Sequence, residues 1–441
     1  MKTATEVRSV QTAAPVSAST PTASGLPKEP ASLAETGLPF VVLVDLVLKA
    51  LYRRGQCSAL DVAAILGLPL RHVIDNVLEF LKAERLAEVR RSAAVAAATF
   101  EYGLSESGVL RAREALDRNE YLGPAPVPVG DYVASIKAQA GMRARLRRPD
   151  FERAFAHLVL PRRVLDALGP AYNRGRSLFI FGPPGNGKTT IAEVLGRAQP
   201  GAVLMPHAVL VDDQIIRVYD PVHHRPLPLP NGARIDGRWQ VVARPLVVTG
   251  GELTLELLDL GYQPSSKIHH ASLQLKATGG ILLVDDFGRQ RVPPAELLNR
   301  WIVPLDRGVD YYTLHNGAKV ELPFELLLVF ATNLAPADLV DEAFLRRIRY
   351  KVRIDSPTSE DYAEIFRRVC EHANVSFHPP AVAYVLSYCH ERRIVPRSCH
   401  PRDIVEQLVD MAAYREEAPS LSPELLTLAC ESYFVQESAR S

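Results

Sequence analysis

The chain has 441 residues, 47% of them apolar, with 51 Lys and Arg against 50 Asp and Glu for a formal net charge of +1. That length carries about three domains with real cores, and the near-zero charge excludes a chain drawn to nucleic acid or anionic membrane by bulk charge alone. No apolar run approaches the ~20 residues of a membrane span; the best candidate, residues 38–51, contains Asp45 and Lys49.

Residues 1–37 are rich in Ala, Ser, Thr and Pro, lack the apolar core of a signal peptide, and read as a disordered tail. A separate small domain is expected over residues 38–122. Helical periodicity covers residues 41–54, Ser58 caps a short helix that Gly67 ends, and residues 69–86 give a third helix. Residues 86–91 and 98–104 are strand-like, and a last helix starts at Ser105. Three helices with a two-stranded ribbon resemble a winged-helix domain, including the YGLSESG stretch at residues 102–108. Such a domain suggests DNA, with Arg90 and Arg91 in the wing as the best support. Residues 38–120, however, carry eleven Lys and Arg against eleven Asp and Glu, and Asp75 and Glu79 share the would-be recognition helix with Arg71 and His72. A DNA reader concentrates positive charge on one face, so docking to protein is the favoured reading. Residues 123–150 follow as a linker, Pro-rich and stiff at its start, and residues 131–176 are expected to be helical.

An α/β core is expected over residues 151–354. Residues 177–181, Ser-Leu-Phe-Ile-Phe, read as a buried parallel strand that delivers the chain to GPPGNGKTT at residues 182–190. This string fits the phosphate-loop pattern GxxxxGK[ST] without a mismatch. Gly182, Gly185 and Gly187 permit turns that aim N–H groups at phosphate oxygens, with Pro183, Pro184, Asn186 and Thr190 completing the loop. Thr189 opens a helix whose dipole favours negative charge. Lys188 is expected to reach the β/γ-phosphates of ATP, and the Thr189 hydroxyl to ligate Mg²⁺.

Asp285 lies 97 positions after Lys188, at the end of a second apolar run, Ile-Leu-Leu-Val at residues 281–284. Open α/β sheets bind ligands at the carboxyl ends of their strands. Asp285 is therefore the expected Mg²⁺-side carboxylate, and Asp286 the group that polarises the attacking water. A third run, residues 326–331, ends in Thr332 and Asn333, placing a polar amide beside the acidic pair.

With these parts the chain resembles the AAA+ ATPases over about residues 150–436. The resemblance implies that Asn333 is the sensor 1 residue and that segment 341–348 ends in arginine fingers, Arg346 and Arg347, which enter a neighbouring subunit's site. It also implies that Arg402, in His-Pro-Arg-Asp-Ile at residues 400–404, faces the phosphates as sensor 2 from a helical lid over residues 355–441, with Pro401 preset for the first turn. One position departs: the family's usual Glu is Asp286 here, one methylene shorter. A water placed for Glu then sits about 1.5 Å too far unless the backbone adjusts, so slow hydrolysis is one consequence.

Residues 310–314 and 319–322 are β-prone and flank Asn316-Gly317, a hairpin signal of type I′ character. It resembles the pre-sensor hairpin of one AAA+ branch, in which that element points toward a ring pore. The long interval before Asp285 reads as a β-rich insertion at about residues 203–250. The five cysteines, Cys57, Cys370, Cys389, Cys399 and Cys430, are scattered and form no CxxC, which reads as a reducing, cytoplasmic setting. Cys389-His390 and Cys399-His400 lack metal-ligand spacing, and His223-His224 and His269-His270 read as loop residues.

The expected function is an ATP-hydrolysing motor that remodels a protein or protein complex as a homo-oligomeric ring, a hexamer by resemblance. Two alternatives stay open. One is a DNA-associated ATPase, a loader or transcriptional regulator, using residues 38–122; the other is a slow nucleotide-dependent switch or scaffold.

Overall fold

A computed structural model describes residues 26–91, 100–141, 144–229, 234–339 and 342–434. Its centre is a sheet of five parallel strands in the order Leu246–Thr249, Ile281–Val284, Leu327–Thr332, Ser177–Phe181, Tyr350–Arg353. These are called below the edge, acidic, amide, loop and last strands. The middle three are apolar almost throughout because parallel strands are covered on both faces. Leu178, Ile180, Leu283 and Val329 pack under helices Arg162–Arg174 and Lys188–Arg197. Phe179, Leu282, Leu328 and Phe330 face the opposite layer, which contains Phe287, Leu297, Leu298 and Trp301. Register aligns the carboxyl ends: Thr332 lies opposite Phe181, Phe330 opposite Val284, and Val284 opposite Thr249. Whatever follows these strands converges on one edge, so the α/β class with a helix-flanked parallel sheet is present.

Behind the core, helices Ser359–His372, Pro379–Glu391, His400–Tyr414 and Pro423–Phe434 enclose Tyr362, Phe366, Val385, Ile404, Leu408 and Leu425. This is the C-terminal helical region. Cys370, Cys389 and Cys430 are buried in it.

The β-rich segment differs from its expected bounds. Leu246–Thr249 belongs to the central sheet, where its apolar run pairs with the acidic strand. Ahead of it, Ala202–Pro206 pairs with Trp239–Ala243. A second five-stranded sheet runs Gly261–Gln263, Ile268–His270, Gln214–Arg217, Ala208–Val211, Val127–Pro128. Val127–Pro128 lies inside the segment expected to be a linker. The Ala125 N–H donates to Leu66 O at 2.7 Å, and Ala125 and Val127 are fully buried, so the proline-rich stretch is pinned rather than spanning a gap.

The N-terminal unit contains helices Phe40–Arg54, Ala59–Leu66, Asp75–Ala83 and Glu106–Arg118. Its sheet has three strands rather than two, in the order Gln56–Ser58, Glu101–Leu104, Ala87–Arg91; residues 98 and 99 of the expected ribbon lie outside the described residues. The third helix begins later than its periodicity predicts. Arg71 is extended (φ −69°, ψ 135°) and His72 is left-handed (φ 65°), so both precede the helix instead of lying on it. The tail also ends earlier than expected. Of residues 1–37, residues 1–25 lie outside the described part, but Pro27 O accepts the Asp236 N–H at 3.0 Å and Arg238 donates to Thr36 O at 2.7 Å. Arg238 and Asp236 form a buried ion pair at 2.7 Å, and a buried guanidinium needs every acceptor within reach, which holds residues 27–36 in place.

Alternation along the second sheet buries both of its faces. Ala208, Leu210, Ile215 and Ile268 pack with the N-terminal helices. Val209, Val211 and Ile216 pack with Tyr312, Leu314, Val320 and Leu322 of the hairpin Val309–Thr313/Lys319–Pro323, which leads directly into the amide strand. The hairpin exists, but its turn is not type I′. Gly317 alone is left-handed (φ 84°), its N–H donates to Leu314 O, and Leu314 N–H donates to Ala318 O, giving a longer loop closed by a glycine bulge. Tyr262 stacks on His315 at the tip, ring centroids 4.0 Å apart.

Candidate functional site

The loop strand ends at Phe181, just before Gly182, and helix Lys188–Arg197 starts immediately after Gly187. Two glycines are obligatory by space as well as by backbone. A Cβ on Gly182 (φ 142°) meets Ile354 O at 2.1 Å, and one on Gly185 (φ 78°) meets the Cys399 sulfur at 2.7 Å. Lys188 is buried, with Nζ donating to Gly182 O at 3.0 Å and Pro183 O at 2.9 Å. Burial lowers its pKa, while Asp286 and Asp285 act in the opposite direction. A half-desolvated ammonium held by two neutral carbonyls favours an anionic ligand. Pro184 and Thr190 are exposed at the rim of the loop.

The two acidic residues point to different partners. The Thr189 hydroxyl lies 3.0 and 2.9 Å from the two Asp285 carboxylate oxygens. Asn333 Nδ2 donates to Asp286 Oδ1 at 3.2 Å. Thus the ends of the loop, acidic and amide strands meet as the sequence predicts. Asp286 has φ 46°, a left-handed conformation that Asp adopts more readily than longer side chains. Hydroxyl and carboxylate oxygens form a hard donor set suited to Mg²⁺.

Several residues that sequence reasoning passed over complete the site. Ser398 N–H donates to Asn186 Oδ1 at 3.1 Å, Cys399 N–H donates to Gly185 O at 2.9 Å, and Arg397 carbons lie against Gly185. Asn186 Nδ2 also reaches Ser356 Oγ at 3.4 Å. The C-terminal region therefore closes on the loop through residues 397–399, just ahead of the helix expected to do so. Arg402 is engaged along its own helix: its guanidinium pairs with Asp403 at 3.1 Å and approaches Glu406 at 3.9 Å. The break at Pro396 is the sequence signal for this contact. Gln290, also buried, bonds the backbone of the acidic turn.

Arg346 and Arg347 lie near the opposite end of the sheet, where Ser177 and Tyr350 begin their strands. With Arg174, Arg176, Arg349 and Asp306 they line a cavity of about 410 Å³. Arg347 pairs with Asp306 at 3.0 Å. Asp341, in the same segment, lies outside the described residues.

The histidine and cysteine doublets form no metal-binding group among the described residues. His224 is structural, accepting the Asp220 N–H at 2.9 Å through Nδ1, with Nε2 2.8 Å from Lys276 O. His269 and His270 lie in a strand rather than a loop. His400 is buried against Tyr433 and Phe434, and its Nδ1 accepts the Arg397 N–H at 3.2 Å. Burial first, and Arg397 second, lower its pKa from 6.5 to about 4. The folded state thus binds the neutral ring, so stability is full above pH 6.5 and falls as pH drops toward 4. Thermal unfolding of the parent is expected to lose about 2 kcal/mol more over that interval than His400→Gln, whose curve isolates this group.

A family described as a domain of unknown function, DUF8689, matches residues 358–432, within the C-terminal helical region. No curated protein matches the chain. Among solved structures, NtrX from Brucella abortus in complex with ADP is similar at 16% identity and TM-score 0.38, over 59% of this chain and 52% of that one. The Thermotoga maritima RuvB Holliday junction branch migration motor is similar at 15% identity and TM-score 0.35, over 62% and 67%. The chain spans about half the length of the NtrX chains it matches.

Proposed function

We propose that this chain is an AAA+ ATPase: it binds ATP on residues 182–190, hydrolyses it, and uses the cycle to remodel a protein or protein complex as a homo-oligomer. The observation that carries this reading is the meeting of three strand ends, which pairs Thr189 with Asp285 and Asn333 with Asp286 beside a buried Lys188. Loop N–H groups, the helix start and Lys188 bind the phosphates. Thr189 and Asp285 are the residues that would hold Mg²⁺, which supplies charge neutralisation at the phosphates when bound. Asp286, oriented by Asn333, accepts a proton from the attacking water. Arg346 and Arg347 are far along the sheet from their own chain's loop, which supports their action in a neighbour's site and hence an oligomer. Residues 397–399 tie nucleotide occupancy to the C-terminal region, a role first expected of Arg402.

The winged-helix reading of the N-terminal unit favours a protein partner. Arg90 is engaged by Leu104 O at 3.2 Å and Glu88 at 3.6 Å, and Arg71 and His72 are off the third helix. Salt-sensitive binding of duplex DNA by the whole chain would reverse that preference.

Lys188→Ala is the direct test. It is expected to abolish measurable ATP binding and turnover while leaving the thermal midpoint of the nucleotide-free protein near the parent's. A variant that still hydrolyses ATP at the parent rate would sink the proposal.

A further inference from the structure

The acidic turn leaves the sheet with most of its backbone already tied. Asp285 N–H donates to Thr249 O of the edge strand at 2.7 Å. Phe287 N–H donates to Ala331 O at 2.8 Å, and Phe287 O accepts the Thr332 hydroxyl at 2.7 Å, both on the amide strand. The Asp285 carbonyl is met instead by a side chain, Gln290, which shares the Asp286 carbonyl with the Arg289 N–H at 3.0 Å. Gln290 Nε2 lies 3.1 Å from Asp285 O and 3.4 Å from Asp286 O, and also 3.2 Å from Gly250 O beyond the edge strand. Its Oε1 accepts the Gly288 N–H at 2.8 Å. The Gly250 peptide is held from its other side as well. Its N–H donates to Glu252 Oε1 at 2.8 Å, and the same oxygen accepts the Thr249 hydroxyl at 3.0 Å.

We propose that Gln290 is the positioning residue of the acidic pair, holding the turn in the conformation that directs Asp285 to Thr189 and Asp286 to Asn333. The left-handed Asp286 gives this clamp a task, because such a conformation persists only where its surroundings over-determine it. The chemistry is specific to a neutral amide. One group supplies donors to carbonyls and an acceptor to an N–H at once; an ionised carboxylate supplies acceptors only, and an apolar chain neither. Through Gly250 the clamp also links the acidic pair to the edge strand, so a shift of that strand moves the group that faces the water. This inference rests on the ATPase reading above.

Two variants test it in the full chain. Gln290→Leu keeps the volume and removes every bond; turnover at saturating ATP is expected to fall on the order of 10- to 100-fold with KM close to the parent's, because the nucleotide is held elsewhere. Gln290→Glu can donate to a carbonyl only when protonated. Its turnover, relative to the parent, is expected to rise as pH falls from about pH 8 to about pH 5.5, a signature that mere loss of packing does not produce. A Leu variant that turns over at the parent rate, or a Glu variant whose pH profile parallels the parent's, overturns the proposal. A parent chain that hydrolyses no ATP overturns the ATPase reading itself, and the two failures are thereby distinct.

Discussion

Asp286→Asn is expected to retain ATP and lower its turnover by about 100-fold or more. The amide keeps the size of the side chain but cannot take up the proton of the attacking water, a contribution of order 10²–10⁴ in rate. Asn333 donates to Asp286 Oδ1 at 3.2 Å, so Asn in that place must turn its oxygen toward Asn333 and present its NH₂ to the water side. Equilibrium ATP binding and single-turnover kinetics measure the two effects separately. The companion variant Asp286→Glu is expected to gain at most a few-fold. At φ 46° the longer side chain is the less tolerated one, and the Asn333 contact is built for Asp. A gain of tens of fold in Asp286→Glu would instead mark the native chain as a slow nucleotide-dependent switch.

Asp310→Ala is expected to cost about 3–5 kcal/mol of stability, read as a shift in the denaturation midpoint. Asp310 sits buried at the base of the hairpin and accepts from Arg300 at 2.6 and 2.9 Å, from the Tyr311 N–H at 2.9 Å, and from Gln274. Gln274 in turn donates to the Tyr312 hydroxyl and accepts from the Trp301 indole, both at 2.9 Å. Removing the carboxylate leaves a largely buried guanidinium without its main counter-charge and unseats a network in which each member satisfies the next. The double change Arg300→Met with Asp310→Leu removes both charges together and is expected to recover much of the loss. Because the hairpin leads straight into the strand that carries Asn333, Asp310→Ala is also the variant in which loss of fold and loss of turnover fall together.

The parts of the site legible in the sequence are those whose spacing is local. The loop at residues 182–190, the acidic pair and Asn333 each follow an apolar run, and parallel pairing in register brings their ends to one edge of the sheet. Helix caps are equally local: Ser58 accepts from the Asp61 N–H and Ser105 from the Gly108 N–H, as short-range patterns predict. The differences arise where a segment's partner is remote. Leu246–Thr249 has the same β-rich look as the strands before it, and only pairing with the acidic strand assigns it to the central sheet. Val127–Pro128 reads as a linker because proline disfavours regular structure, yet it lies at the edge of a sheet, the place where a missing N–H costs least.

By itself, the sequence determined the α/β core, the loop at residues 182–190, the carboxylates at 285 and 286, and the amide at 333, because each depends on side-chain type and on pattern within a few residues. Only the tertiary structure decided which groups surround them. Residues 397–399 close on the loop, Arg402 turns to Asp403, Gln290 clamps the acidic turn, and the second sheet is buried between the N-terminal unit and the hairpin. The closure on the loop, the reach of Gln290 to Gly250 and the burial of the second sheet join residues 40 to hundreds of positions apart, and packing geometry, which no local period encodes, selects among the many arginines and amides the same chain could have used.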